Sequence, residues 1–364
     1  MPADLWNEVA RMLGCGLAVA GVAVPVGLLA WAVARRHPEP ILPRPLGWRV
    51  PWRGFEVFVA FVVVSLLVPA VIGPALAQSG LFVQVYGPDF PLSGQTPTEE
   101  SSAAAAGATA ASVAHDRLAE AATVRGLWTG LVSLPLQLGL LLWVRSVVYP
   151  AWKPPARRSG LAGSVALAVA AWAVLTPIVL VVHFSVNLTF ASLGWTVEDH
   201  PLTHLSVNRP LLDQGLFVAQ ACIGAPLVEE VLFRGVLLPW LLGRKHRAWP
   251  VLTVGVVLAV ALSADEEGVS KHIRGPVLFA GVLFVGWMLL STLLRRKRRT
   301  AVAIYASAAL FAVVHSGVWP SPIPLFALGL GLGWLAVRTR GVLVPVLVHG
   351  LFNAVSVLFV LRGG

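Results

Sequence analysis

The stretch APLVEEVLFRGVLLPW, residues 225–240, sets two glutamates and an arginine inside an otherwise apolar run. On insertion scales each such charge costs roughly 3 kcal/mol at the centre of a membrane helix. Whether the run lies in a membrane therefore decides both the fold and the meaning of the charges. Composition answers the first part. The chain has 364 residues, 57% hydrophobic and 12% charged, with a mean hydropathy of +0.79. A soluble domain carries about 25% charged residues; half that leaves too little polar surface to cover a globule of this length. Several apolar runs approach or exceed the roughly 20 residues needed to cross the hydrocarbon core. The fold class read here is all-α, a polytopic helical membrane protein.

Working outward from that stretch, hydropathy predicts about ten spans, near 12–34, 55–77, 127–149, 161–190, 214–243, 249–263, 276–294, 300–318, 322–337 and 341–361. The sixth and ninth are short, so eight to ten are compatible with the pattern. The loops alternate in charge. Arg35, Arg36, Arg44, Arg49 and Arg53 follow the first span, and RRKRR (295–299) follows the seventh. Asp89, Glu99, Glu100, Asp116 and Glu120 mark the stretch between the second and third. This is the positive-inside distribution, and it puts both termini outside the cytoplasm. The run 12–34 is too long for the apolar core of a signal peptide, and Asp4 and Glu8 precede it, so it reads as a retained span. The net charge of +10 falls in short clusters between apolar runs. That pattern excludes nucleic acid as a partner and makes the lipid bilayer the partner. Arg-rich, Lys-poor loops fit a multi-pass protein of the plasma (cell inner) membrane. Cys15 and Cys222 form no metal or redox motif. The linear organisation expected is an N-terminal hairpin over 1–77, a flexible extracytoplasmic loop over 78–126, further spans over 127–213, and a final segment over 214–364. Residues 92–124 are rich in Ala, Ser and Thr, with a partly helical patch near AHDRLAEAA (114–122).

Polar groups inside the spans fall at three places. In the opening stretch Glu230 and Arg234 are four residues apart and can pair on a helix. Glu229 is turned by about 100° from Glu230 and needs another partner, a proton or a water-filled cavity. The second place is His315, near the end of the eighth span. The third is His349 with Asn353, four apart on the last span. A carboxylate and two histidines on three helices form a minimum set for hydrolysis. The carboxylate takes a proton from water, and the histidines orient the water, hold an oxyanion or bind a metal. Glu229, His315 and His349 also match a His2Glu zinc set with one open position. A non-catalytic buried network, or a proton relay in a transporter, uses the same residue types. A transporter is expected to show repeated halves with broken helices, and none is visible. His183 and Asn187, four apart on the fourth span, read as structural hydrogen bonding or as site lining. Glu56 reads as interfacial, and HPLTH (200–204) as a loop. The 14 tryptophans read mostly as interface anchors.

EEVLFR (229–234), FAVVH (311–315) and HGLFN (349–353), in this order on separate spans, resemble the EExxxR, FxxxH and HxxxN motifs of the CAAX protease and bacteriocin-processing family. This is the Abi or type II CAAX prenyl endopeptidase group of intramembrane proteases. The stretch GLGLGWLAVRTRGVLVPVLVHGLFN (329–353) is similar to the family's Gly-rich helix, basic turn and terminal helix, and its Gly329 and Gly333 allow close helix packing. The resemblance implies an intramembrane endopeptidase acting on a membrane-associated peptide or protein. It implies Glu229 as general base, His315 assisting, and His349 and Asn353 holding the oxyanion. Glu230, Arg234 and Phe311 would support them, and one divalent metal such as zinc is an option. It makes 214–364 the protease core. The 86 residues between Glu229 and His315 exceed the family's usual interval, which implies an inserted hairpin at about 245–299. A scaffold or bacteriocin-immunity protein of the same fold stands as the alternative.

Overall fold

A chain this apolar satisfies its backbone polar groups within each segment, and helices do so in a bilayer. The computed structural model describes residues 25, 50–88, 90–91, 108–149, 160–193, 210–243, 248–262, 274–293 and 299–361. The expected first span, the basic clusters after the first and seventh spans, and His200–His204 lie outside the described residues, save Pro25, Arg53 and Arg299. Among the described residues the structure is helical with no strand. The helices are α1 Gly54–Gln78, α2 Leu81–Tyr86, α3 Ala108–Val148, α4 Leu161–Ser192 and α5 Leu211–Gly243. They continue as α6 Ala248–Leu262, α7 Arg274–Leu293, α8 Arg299–Val313, α9 Pro322–Thr339 and α10 Leu343–Leu361. Six of them (α1, α3, α4, α5, α9 and α10) are long and apolar enough to cross a membrane, and α6, α7 and α8 carry shorter apolar segments. The protein is a multi-pass membrane protein.

One expectation needs correction. Residues 81–86 and 108–126 are helical, although all but the patch near 114–122 fall in the stretch read as a flexible loop. The alanines that lower hydropathy there are the strongest helix formers, so weak apolar periodicity does not mean loop. Among the described tryptophans, Trp240 and Trp287 are buried and Trp143 and Trp249 are exposed. Cys222 is a free thiol.

The chain forms two compact units, each made of several segments. The first holds residues 1–57, 151–199 and 229–352. Within it α9 packs on both α8 and α4, while α6 and α7 pack on each other and on α8. Its core gathers Ala168 and Val179 of α4, Leu328, Leu332 and Leu335 of α9, and Val344 and Val348 of α10. The second unit holds residues 58–150, 200–228 and 353–364. There α1 packs on α3, α3 packs on α5, and Val124, Leu127, Phe217 and Val357 form the core. Glu56 is exposed and accepts the Arg53 N–H at 2.6 Å, which is half of a capping box at the start of α1.

The close approach of α8 and α9 depends on two glycines. A Cβ on Gly329 would lie 3.1 Å from the Ala308 Cα and 3.3 Å from the Phe311 ring, and one on Gly333 would lie 3.0 Å from Ile304. Backbone cannot yield as a side chain can. Gly329→Val is therefore expected to destabilise the protein by about 1–3 kcal/mol through overpacking, read as a lower midpoint of thermal unfolding in detergent. Gly281→Val, at a position with open space for a Cβ, is the control.

Three turns in these helices widen to five-residue hydrogen bonds: Val63–Leu67 in α1, and Gln220–Gly224 and Val231–Leu237 in α5. Such π turns are rare and concentrate at functional places. Each ends at a residue followed by proline. The N–H groups of Val68, Ala225 and Leu238 reach back to the carbonyls of Val63, Gln220 and Phe233. Pro69, Pro226 and Pro239 come next and have no N–H. A proline therefore cuts the five-residue ladder at the carbonyl that follows.

Candidate active site

The charged stretch lies on α5, with Glu229 and Glu230 closing a regular turn and Arg234 inside the π turn 231–237. Arg234 Nη1 donates to Glu230 Oε1 at 2.9 Å, and both side chains are 0% exposed. The pairing expected from the four-residue spacing is present, although the turn is wider than an α-helix. Arg234 is held from three directions. Its Nη2 donates to the Gly329 carbonyl at 3.3 Å, and its guanidinium carbon sits 4.4 Å above the Phe311 ring centre. The Phe233 ring lies at 5.6 Å. Buried in low dielectric, a charge needs such a set of partners.

Glu230 does more than neutralise Arg234. The same Oε1 faces His349 Nδ1 at 3.0 Å. A carboxylate only accepts, so Nδ1 carries the proton in this bond and Nε2 is the imidazole's outward nitrogen. Nε2 lies 3.9 Å from Glu229 Oε2, too far for a direct hydrogen bond and suited to one bridging water. Glu229 differs from its neighbour in exposure. Its side chain is 27% exposed, whereas Glu230 is fully enclosed; Oε2 of each is buried without a hydrogen-bond partner among the described residues. One carboxylate is committed through Oε1 to Arg234 and His349; the other is partly open and faces an oriented imidazole.

His315 lies beyond α8 and not within a span as expected, because the helix ends at Val313. The last turn tightens, with His315 N–H bonded to the Ala312 carbonyl at 3.1 Å and Ser316 N–H to that of Val313 at 3.0 Å. Gly317 and Pro320 follow and favour termination. The side chain turns back so that Nδ1 meets the Phe311 carbonyl at 2.7 Å. A carbonyl oxygen only accepts, so Nδ1–H donates and Nε2 keeps its lone pair. The helix end thus fixes the tautomer of His315 as Glu230 fixes that of His349.

Phe311 is the hub of the arrangement. Fully buried, it contacts the rings of His315 at 5.0 Å, His349 at 5.6 Å and Phe233 at 5.2 Å between centroids. Both histidines therefore pack on one phenyl ring. Asn353 stands one turn beyond His349 on α10 and belongs to the second unit. Its amide donates to the Ala221 carbonyl at 2.8 Å.

The zinc set read from sequence can be tested on geometry. Among the described residues no three His, Cys, Asp or Glu side chains are gathered as a metal site. Glu229, His315 and His349 as placed do not form a three-ligand set.

Two features had no place in the sequence reading. The Gly329 carbonyl serves as a partner of Arg234, although its GxxxG spacing pointed only to packing. Asp213, which hydropathy leaves just before the fifth span, is the third residue of α5 and fully buried. It accepts from Tyr86 at 2.5 Å, and Tyr86 accepts from Trp128 Nε1 at 3.1 Å. Pro210 just before the helix was the available signal. His183 and Asn187 are joined at 3.1 Å, in keeping with structural hydrogen bonding.

Residues 212–297 and 277–355, two overlapping segments, match the family model described as Type II CAAX prenyl endopeptidase Rce1-like. No curated protein and no solved structure matches the chain.

Proposed function

We propose, from the Rce1-like match over residues 212–355 and the geometry around Glu229, that the protein is an intramembrane endopeptidase. It hydrolyses a peptide bond in a membrane-associated peptide or protein, with a prenylated C-terminal Cys-aliphatic-aliphatic-Xaa segment as the first substrate class to test. The observation that carries the reading is the unequal pair of carboxylates. Glu230 is fully enclosed and holds Arg234 and His349 through Oε1, whereas Glu229 is 27% exposed with Oε2 3.9 Å from His349 Nε2. Such an arrangement suits a general base holding a water. Glu229 takes a proton from the water as its oxygen attacks the scissile carbonyl, and returns a proton to the leaving amine as the C–N bond breaks. The Nε2 lone pairs of His315 and His349 accept from the attacking water and so orient it. A scaffold needs no such partly open carboxylate beside an enclosed one.

The test is hydrolysis of a fluorogenic farnesylated peptide by purified protein in bilayer nanodiscs, comparing wild type with Glu229→Gln. Equal rates would remove the assignment. In a parallel arm, wild-type hydrolysis is expected to survive a divalent-metal chelator, because the ligand set is not gathered. Loss of activity with recovery on adding zinc would reverse that expectation. The plasma membrane is the proposed location, on the loop charges alone.

A further inference from the structure

The π turn 220–224 leaves a defect in α5 that its own helix cannot mend. Ala225 N–H bonds five residues back to the Gln220 carbonyl, and Pro226 has no N–H for the next carbonyl, that of Ala221. A backbone carbonyl without a donor is costly away from water. The Asn353 amide fills that place at 2.8 Å.

The same construction occurs a second time, far from every motif. In α1 the π turn 63–67 ends at Val68, whose N–H reaches the Val63 carbonyl, and Pro69 follows. The next carbonyl, that of Val64, accepts the side-chain amide of buried Gln137 at 2.8 Å. In both cases a carboxamide from another helix serves the carbonyl five residues before a proline. Gln137 stands on no catalytic element, so the shared arrangement is architectural.

We infer that Asn353 is a positioning residue: it latches the proline-vacated Ala221 carbonyl and so fixes the turn of α5 that leads into Glu229. This rests on the proposed role of Glu229. A helix turn free to relax between five-residue and four-residue bonding rotates everything downstream of it, and a carboxylate misplaced by about 1 Å loses on the order of 100-fold in rate. The latch removes that freedom.

The test exploits the proline. Asn353→Leu removes the latch, and Pro226→Ala restores a backbone N–H, so the double variant regains a donor without the amide. Asn353→Leu is expected to lower kcat on the farnesylated peptide about 30-fold to 100-fold, and the double variant to return to within about threefold of wild type. Amide hydrogen exchange over residues 221–230, read by mass spectrometry, is expected to quicken in the single variant and slow again in the double. Restored exchange with activity still lost would show Asn353 acting on the substrate and overturn the inference. Unchanged exchange in Asn353→Leu would overturn it directly. Should wild type hydrolyse nothing, the proposed function falls while the exchange arm still decides the latch. Should Asn353→Leu not fold, Gln137→Leu with and without Pro69→Ala reads the same rule over residues 63–70, and failure of the proline replacement to rescue it overturns the inference.

Discussion

Glu229→Gln is expected to abolish hydrolysis, lowering kcat by at least about 1000-fold while leaving the fold intact. The size follows from what the substitution removes. Glutamine keeps the shape and a hydrogen-bonding oxygen but cannot take a proton, and general-base catalysis contributes about 10²–10⁴ in rate. Where the water has no second base the full contribution is lost. Stability is expected to move the other way. The buried Oε2 of Glu229 makes no hydrogen bond among the described residues, and the side chain adjoins a second carboxylate, so removing its charge relieves repulsion. The unfolding midpoint in detergent is expected to stay level or rise, the usual relation where an active site is held at a cost to the fold. An inactive variant with a lowered midpoint would point to misfolding instead. Activity within about tenfold of wild type would take the base role away from Glu229.

How far this site could be read in advance depended on whether its contacts are local. The Glu230–Arg234 pair follows from a spacing of four, and the widened turn did not break it, since the arginine's length absorbs the change in pitch. The bond from His349 to Glu230 crosses 119 positions and no local pattern indicates it; spacing leaves Arg234 as the one evident answer to Glu230. His315 misses the expected span by two residues. Hydropathy continues through Val314, whereas the helix ends where its hydrogen bonds shorten at Val313. The start of α3 at Ala108 was hidden for the opposite reason: alanine gives strong helix propensity and little hydropathy. The π turns had a visible mark. Val-Pro, Ala-Pro and Leu-Pro pairs sit inside apolar runs, and proline within a helix requires an outside donor or a distorted turn. Gln137 and Asn353 are the amides that meet this need in two of the three cases, a pairing that only the packed helices resolve.

The largest loss of stability is expected from Arg234→Met. The guanidinium is fully enclosed with Glu230, and removing one partner of a buried pair leaves the other as an uncompensated charge, at a cost of about 3–5 kcal/mol. His349 remains beside Glu230 at 3.0 Å but then has to answer it alone. The Gly329 carbonyl loses its donor, and the face of Phe311 loses a cation 4.4 Å away, a contact worth up to about 2 kcal/mol when desolvated. These losses share one side chain and do not add. Thermal unfolding in detergent gives the size, and the double variant Glu230→Leu/Arg234→Met separates the causes. If the burden in Arg234→Met is the stranded carboxylate, removing it as well is expected to recover about half or more of the lost stability, the coupling expected of residues in direct contact. Hydrolysis is expected to be absent in the double variant, since without the Glu230 carboxylate nothing holds His349 in the tautomer that points Nε2 at Glu229. Stability restored without activity would thus separate the two duties of Glu230, balancing Arg234 and orienting His349. A double variant that recovers activity would show that the imidazole is set by something other than Glu230.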